Sequence, residues 1–319
     1  MSRSYRTKVG ITIGDPSGIG PLITILALKA LRGIADLTII GDAWVMKQAA
    51  KILGFKSSLK LLDLNNVSQR RFSFGKIKAE YGRASMEYLK KSTDLIKQGV
   101  FDCLVTCPIS KESINLAGFN ISGHTEFFAQ TFKGSWPVMM LLNRKLRFVL
   151  LTRHIPLREV SSKLDKKSIY ATIRLTYESL RLIFNINNPR MVACGVNPHA
   201  SDNGLLGDEE NDIVKPVLKK LAARGIFVDG PKPAETAISE AQKNKYDCVF
   251  TMYHDQALIP LKLLGNRYGV NLTLGLPFIR TSPLHGTAFD IAGSNKADPS
   301  SLVEAIKVAI RCRLNQRKD

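Results

Sequence analysis

Three of the five histidines stand directly after short apolar runs: His154 after Phe148-Val149-Leu150-Leu151-Thr152-Arg153, His199 after Met191-Val192-Ala193-Cys194-Gly195-Val196-Asn197-Pro198, and His254 after Cys248-Val249-Phe250-Thr251-Met252-Tyr253. Neutral imidazoles are good ligands for a divalent cation, and three of them leave positions open for water or substrate, which is the arrangement of a catalytic metal centre. The intervals of 45 and 55 residues do not by themselves choose between that centre and three separate hydrogen-bonded turn histidines. The segment from Tyr253 to Ala297 adds density, with two histidines, several carboxylates and several basic groups in forty-five residues broken by glycines. Taken alone, a basic residue such as Lys262 or Arg280 reads first as a surface charge. An arginine fork, an ammonium and an amide would together offer an anionic ligand several fixed donors.

The elements that must position these groups alternate. Val9 to Ile13 reads as a buried strand, followed by a glycine-rich turn and a helix from about Leu22 to Leu31, and Leu37 to Asp42 as a second strand. Ala84 to Gly99 reads as a helix with Gly99 as its stop, and Cys103 to Thr106 as the next strand. Arg147 to Leu151, Met191 to Gly195 and Cys248 to Met252 are further apolar runs, each followed by a histidine-bearing turn. Strands alternating with helices predict an α/β fold with a largely parallel sheet. Ligands of such sheets bind beyond the carboxyl ends of the strands, which gives the three histidines a common address. The first turn is not a G-x-G-x-x-G, since its glycines fall at 14, 18 and 20, and it reads as a tight strand-to-helix turn near the cleft.

Composition bounds the rest. At 319 residues and 45% hydrophobic, the chain can bury one large or two ordinary cores. No apolar run approaches the ~20 residues of a membrane span, and the N-terminal segment has no apolar core of a secretory signal, so a cytoplasmic location is expected. The five cysteines, at 103, 107, 194, 248 and 312, lack C-x-x-C spacing and read as small hydrophobes. A formal charge of +19 can draw in nucleic acid or phosphorylated metabolites. The basic residues are dispersed in pieces such as Lys90-Lys91, Lys166-Lys167, Lys219-Lys220 and the tail from Arg311 to Lys318, without interleaved aromatics. That dispersion reads as a solvated basic surface rather than a nucleic-acid face.

Five motifs carry a family resemblance. His285-Gly286-Thr287-Ala288, followed by Asp290-Ile291-Ala292-Gly293, looks like the adenosine-binding loop of the isocitrate and isopropylmalate dehydrogenase superfamily. With Gly14 to Pro21, Gly123-His124-Thr125-Glu126-Phe127, Asn197-Pro198-His199-Ala200 and Tyr253-His254-Asp255-Gln256, it resembles the 4-hydroxythreonine-4-phosphate dehydrogenase family of pyridoxal phosphate biosynthesis, in order, from about residue 8 to about residue 310. Departures from the family pattern stand at Leu22, at Pro283-Leu284 and in Pro233-Ala234-Glu235-Thr236. They bear on substrate specification more than on dehydrogenase chemistry.

The resemblance implies a two-domain α/β/α isopropylmalate-dehydrogenase-like fold with a cleft between domains, not a Rossmann fold. Its first domain would be 1–130 completed by about 275–319, and its second 131–274, with the metal and dimer contacts. It further implies His154, His199 and His254 as ligands of a divalent metal (Zn, Mg or Co). His124, Thr125, Lys262, Asn271 and Arg280 would bind substrate, and His285, Gly286, Thr287, Ala288 and Asp290 would bind NAD. Asp255, Lys262 and Glu235 are candidate catalytic or orienting groups. A carboxylate at Asp290 can accept from both ribose hydroxyls of NAD but would meet the 2′-phosphate of NADP as a like charge. The implied reaction oxidises 4-(phosphooxy)-L-threonine at C3 and then decarboxylates it to 3-amino-2-oxopropyl phosphate, in a homodimer with the active site at the subunit interface. The alternatives are a paralogue acting on a phosphorylated sugar acid or a cis-dihydrodiol, or a basic nucleic-acid-binding protein.

Overall fold

The structure, a computed structural model, describes residues 6–121 and 123–317. The first five residues of the N-terminal segment and Lys318 of the basic tail lie outside them. In chain order the elements are β1 (Lys8–Thr12), α1 (Gly20–Ala30), β2 (Asp36–Gly41), α2 (Ala43–Ile52), β3 (Leu61–Asp63), α3 (Ala79–Lys97), β4 (Cys103–Thr106), α4 (Lys111–Leu116), α5 (His124–Thr131), β5 (Val138–Leu142), β6 (Arg147–Leu150), α6 (Lys166–Leu182), β7 (Met191–Cys194), α7 (Lys215–Ala222), β8 (Val228–Lys232), α8 (Ala234–Gln242), β9 (Cys248–Thr251), α9 (His254–Leu263), β10 (Val270–Leu274), β11 (Ile279–Pro283) and α10 (Ser300–Asn315). They fall into two compact units, Met1–Ser135 with Leu276–Arg317, and Trp136–Gly275.

In the first unit the strands run in the order β3-β2-β1-β4-β11, all parallel. β1, β4 and β11 are buried along nearly their whole length and β2 over its last three residues, as expected where helices cover a parallel sheet, while the short edge strand β3 is partly exposed. Two glycines fix close approaches. A Cβ on Gly20 would lie 1.9 Å from the Ile13 carbonyl oxygen, so the chain can turn from β1 into α1 only without a side chain there. A Cβ on Gly82 would lie 1.9 Å from the Ser113 carbonyl oxygen, where α3 crosses α4. The sequence reading started α3 at Ala84, but the helix begins at Ala79 and runs through this glycine, which serves packing rather than a break. Between α3, α4 and β4 lies a core of Met86, Leu89, Leu104, Ile114, Phe127, Phe128 and Phe278. Phe127 and Phe128 anchor α5, and that anchoring fixes where His124 and Thr125 stand at its first turn.

In the second unit the order is β10-β5-β6-β9-β7-β8. β10, β5 and β6 pair antiparallel, while β6, β9, β7 and β8 are parallel. The three strands that precede the predicted histidines, β6, β9 and β7, are therefore adjacent and parallel, with their carboxyl ends on one edge. No helix among the described residues is long and apolar enough to cross a membrane. The basic pairs lie exposed on separate helices, Lys90-Lys91 on α3, Lys166-Lys167 on α6 and Lys219-Lys220 on α7, in keeping with dispersed charge.

Candidate active site

The second unit brings two of the three histidines together. His154 follows β6 and His254 opens α9 directly after β9, and their rings stand 5.5 Å apart between centroids at 46°. They line a cavity of about 300 Å³ with Arg153, Leu157, Tyr253 and Asp255. His254 Nδ1 is 2.6 Å from Asp255 Oδ1. A carboxylate oxygen accepts, so Nδ1 carries the proton, and in the neutral ring Nε2 is then the nitrogen with the lone pair, the tautomer of a metal-ligating histidine. His199 lies exposed after β7, in a run where His199, Ala200, Ser201, Asp202 and Asn203 all have φ between 45° and 69°. Left-handed backbone at five successive non-glycine residues is costly and persists only where the surroundings hold it. Among the described residues no group of three or more His, Cys, Asp or Glu side chains is assembled around a common point. The described residues thus bring His154 and His254 together, and His199 does not join them in a group of three.

The first unit holds a second constellation. Arg280, on β11, is buried, donates from Nε and Nη2 to Thr106 Oγ1 at 3.2 and 2.5 Å, and lies over the Phe128 ring. Burial pulls its pKa down to about 9, with Glu126 acting the other way. His124, at the start of α5, has its Nε2 buried with no hydrogen-bond partner. Burial, then the Arg280 charge, holds its pKa well below the usual value, so the ring is neutral. Thr125 beside it is buried. A desolvated guanidinium next to a neutral imidazole favours an incoming anion, which would restore to the cation part of the solvation it has lost.

The predicted nucleotide loop follows β11. His285 Nδ1 is 3.0 Å from the Gly286 carbonyl oxygen, so Nδ1 is the protonated nitrogen, and its buried Nε2 is an acceptor without a donor. Burial also lowers the pKa of His285. A Cβ on Gly286 would meet nothing within 4 Å, Ala288 has φ 44°, and Asp290 is exposed. A bare acceptor, an open backbone stretch and an accessible carboxylate are groups that a purine nucleoside can use. The turn after β1 supports this loop. Ile19 N–H donates to the Thr287 carbonyl at 2.9 Å, and a Cβ on Gly18 would be 3.0 Å from that same oxygen. The turn is tight, as its glycine spacing predicts: Gly14 has φ 72°, and Ser17 N–H donates to Asp15 Oδ1 at 2.9 Å.

The remaining predicted residues are more scattered. Lys262 is exposed in the last turn of α9, and Asn271 lies on β10 with its Oδ1 buried and without a partner. The eighteen-residue interval that links them to Arg280 in sequence crosses from one unit into the other. Glu235 is exposed in the first turn of α8, bonded only to the neighbouring Thr236 hydroxyl at 3.3 Å. Arg153 is a group the motifs did not single out. It lines the histidine cavity, and its Nη1 is buried without a partner. Its sequence signal is its position, a cation between a strand end and His154. All five cysteines are buried with no disulfide among the described residues, and burial pushes Cys107, Cys194 and Cys248 up to about 12.

Comparisons with known proteins agree with this arrangement. A family model for pyridoxal phosphate biosynthetic protein PdxA matches residues 33–309. A 4-hydroxythreonine-4-phosphate dehydrogenase from Sulfurihydrogenibium sp. is 41% identical over 316 residues, covering 95% of this chain and 97% of the relative. The crystal structure of 4-hydroxythreonine-4-phosphate dehydrogenase from Klebsiella pneumoniae superposes with a TM-score of 0.87 at 36% identity, covering 98% of this chain and 99% of that one. A terephthalate 1,2-cis-dihydrodiol dehydrogenase from Burkholderia xenovorans is more distant, with a TM-score of 0.66 at 30% identity over 96% of this chain and 98% of that one. The fold alone extends to an isocitrate dehydrogenase from Methylococcus capsulatus, with a TM-score of 0.50 at 15% identity over 98% and 88% of the two chains. The α/β architecture is therefore the isocitrate and isopropylmalate dehydrogenase kind, and the chain belongs to the family of pyridoxal phosphate biosynthetic protein PdxA, whose curated relatives are named 4-hydroxythreonine-4-phosphate dehydrogenases.

Proposed function

We propose that the chain oxidises 4-(phosphooxy)-L-threonine at C3 with NAD and releases carbon dioxide, giving 3-amino-2-oxopropyl phosphate in pyridoxal 5′-phosphate biosynthesis. The observation that carries the chemistry is the His154–His254 pair, with Asp255 fixing the tautomer of His254, at the carboxyl ends of adjacent parallel strands. His154, His199 and His254 would hold a divalent cation, and the loop from His285 to Asp290 would hold NAD. Bound there, the cation supplies Lewis acidity at the C3 oxygen and NAD supplies the hydride acceptor.

The protein's own groups bind and orient. Arg280, with neutral His124 and Thr125, receives the substrate phosphate, and Asn271 and Lys262 hold its remaining polar groups. Asp290 accepts from the ribose hydroxyls and discriminates against a 2′-phosphate. Lys262, Asp255 and Glu235 are the candidates for proton transfer or orientation, of which Asp255 is bonded to His254. A homodimer with the active site at the subunit interface would let a second copy complete the histidine set, and a cytoplasmic location suits such a biosynthetic step.

The deciding experiment is a substrate panel with purified protein, NAD and added Zn²⁺, Co²⁺ or Mg²⁺. Turnover of the phosphorylated threonine derivative is expected, lost together with bound metal in His199→Ala. Turnover of a cis-dihydrodiol or a phosphorylated sugar acid instead would favour a paralogue, the reading to which the Burkholderia likeness lends weight.

A further inference from the structure

One buried side chain bonds directly to the roots of two histidine-bearing turns and is linked through Met252 to the third. Gln256, in the first turn of α9 and 8% exposed, accepts from Met252 N–H through Oε1 at 2.9 Å and donates from Nε2 to the Gly195 carbonyl at 2.8 Å. The Met252 carbonyl in turn accepts from Thr152 N–H at 3.2 Å and from the Thr152 hydroxyl at 2.7 Å. Thr152 leads to His154, Gly195 to His199 and Met252 to His254. The amide has one orientation that satisfies the network, because a backbone N–H can only donate and a carbonyl can only accept. Farther along the His199 turn, Glu210 is fully buried and accepts from Val196 and Asn197 N–H at 2.7 and 2.9 Å and from Asn197 Nδ2 at 2.9 Å. This carboxylate holds the peptides that enter the left-handed run, while Gln256 ties that turn to the other two.

We propose that Gln256 is a positioning residue for the metal-binding histidines, tying the turn of His199 to that of His254, which the Thr152–Met252 bonds join to the turn of His154, so that the chain presents each imidazole in a fixed place. The inference rests on the three-histidine reading above. Nothing about Gln256 requires it to touch metal or substrate, and its action runs through the two backbones it joins and the Met252–Thr152 bonds beyond them.

The test is metal affinity in the full-length protein, read by competition with a chromophoric chelator and by the visible absorption of bound Co²⁺. It compares wild type, Gln256→Leu, Gln256→Glu and His199→Ala under conditions that give the same oligomeric state. Gln256→Leu should weaken Co²⁺ binding about 10- to 100-fold, the usual cost of losing an outer partner of a ligand. Gln256→Glu keeps the acceptor for Met252 N–H and loses the donor to Gly195 while ionised. At about pH 7.5 its Co²⁺ affinity should therefore fall as well, through the lost bond to the His199 turn alone. A merely structural role would lower the melting temperature and leave the affinity and the Co²⁺ spectrum alone. Affinity within twofold of wild type in both Gln256 variants overturns the proposal, and Gln256→Glu alone decides if the leucine variant does not fold. Wild-type affinity in His199→Ala would overturn the three-histidine reading itself and the inference with it.

Discussion

Arg280 shows how a single residue can be both costly and useful. A guanidinium with its pKa drawn down to about 9 by burial weakens the fold, and an anion at its side returns the lost solvation. If that anion is the substrate phosphate, Arg280→Ala should lower kcat/KM for the phosphorylated substrate by about 30- to 150-fold, the equivalent of roughly 2–3 kcal/mol for a charge-assisted bond. The unphosphorylated analogue should lose much less. Steady-state kinetics of both substrates with both proteins decide it, and equal losses would assign Arg280 to the fold and move the phosphate to His124 and Thr125. Asp290 supports a parallel expectation. Wild type should prefer NAD to NADP, and Asp290→Ser should narrow that preference by roughly tenfold, because the like-charge clash is gone while a hydroxyl remains for the ribose. Equal efficiency of the two cofactors with wild type would mean that the carboxylate faces elsewhere. At this scale the sequence was informative about residue type and poor about partners. His154 and His254 were legible because each directly follows an apolar strand. The backbone at His199 was not, since nothing in Asn-Pro-His-Ala announces five left-handed residues. The bond from Gln256 to Gly195 spans sixty-one positions, and no local pattern encodes it.

Among the elements, the turn between β1 and α1 has the clearest physical signature. Burial lifts the Asp15 carboxyl to about 6 from 3.8, against the hydrogen bond from Ser17 N–H that favours its charged form. Between those two values the folded chain keeps a proton that the unfolded chain has released. The stabilisation from that proton is fully present below about pH 3.8 and is lost as pH rises through 6, a change of about 3 kcal/mol from this one group. Asp15→Asn removes the ionisation and retains an acceptor for Ser17. It should therefore be more stable than wild type at pH 7.5 by up to about 3 kcal/mol, with the gap closing near pH 4. Urea titrations at the two pH values measure this, and a gap that does not change with pH would show that the carboxyl does not titrate in that range. Six strands, β1, β2, β4, β6, β7 and β9, were readable because buried parallel strands are apolar runs, whereas the sequence reading did not single out β3, β5, β8, β10 and β11. The start of α3 was not, because the reason for Gly82 is a neighbour 31 positions away at Ser113 rather than its own helix.

For the whole molecule, metal binding and association should act through mass action. If the histidines bind a cation in the folded dimer and not in the unfolded chain, a free cation at about 100 times its Kd adds about 2.7 kcal/mol to stability. The melting temperature should then rise by a few degrees on adding Co²⁺, and the rise should disappear in His199→Ala. Sedimentation should give twice the mass of one chain. A metal-independent melting curve would argue against a shared ion, whatever the activity. The charge of +19 belongs to this scale too, since it is carried by exposed lysines on separate helices. Any binding to duplex DNA at low salt should fade near physiological ionic strength, as expected for contacts made by dispersed charges.

The burial of all five cysteines has a practical consequence. Thiols that sit inside the fold, three of them with pKa near 12, expose almost no thiolate to reagents or peroxide at neutral pH. The native surface is thus chemically silent toward maleimides, and the protein should keep its activity without added reductant. A single cysteine introduced on any exposed helix would be the one site to react, so dyes or spin labels could be attached at chosen positions with the natural five left in place.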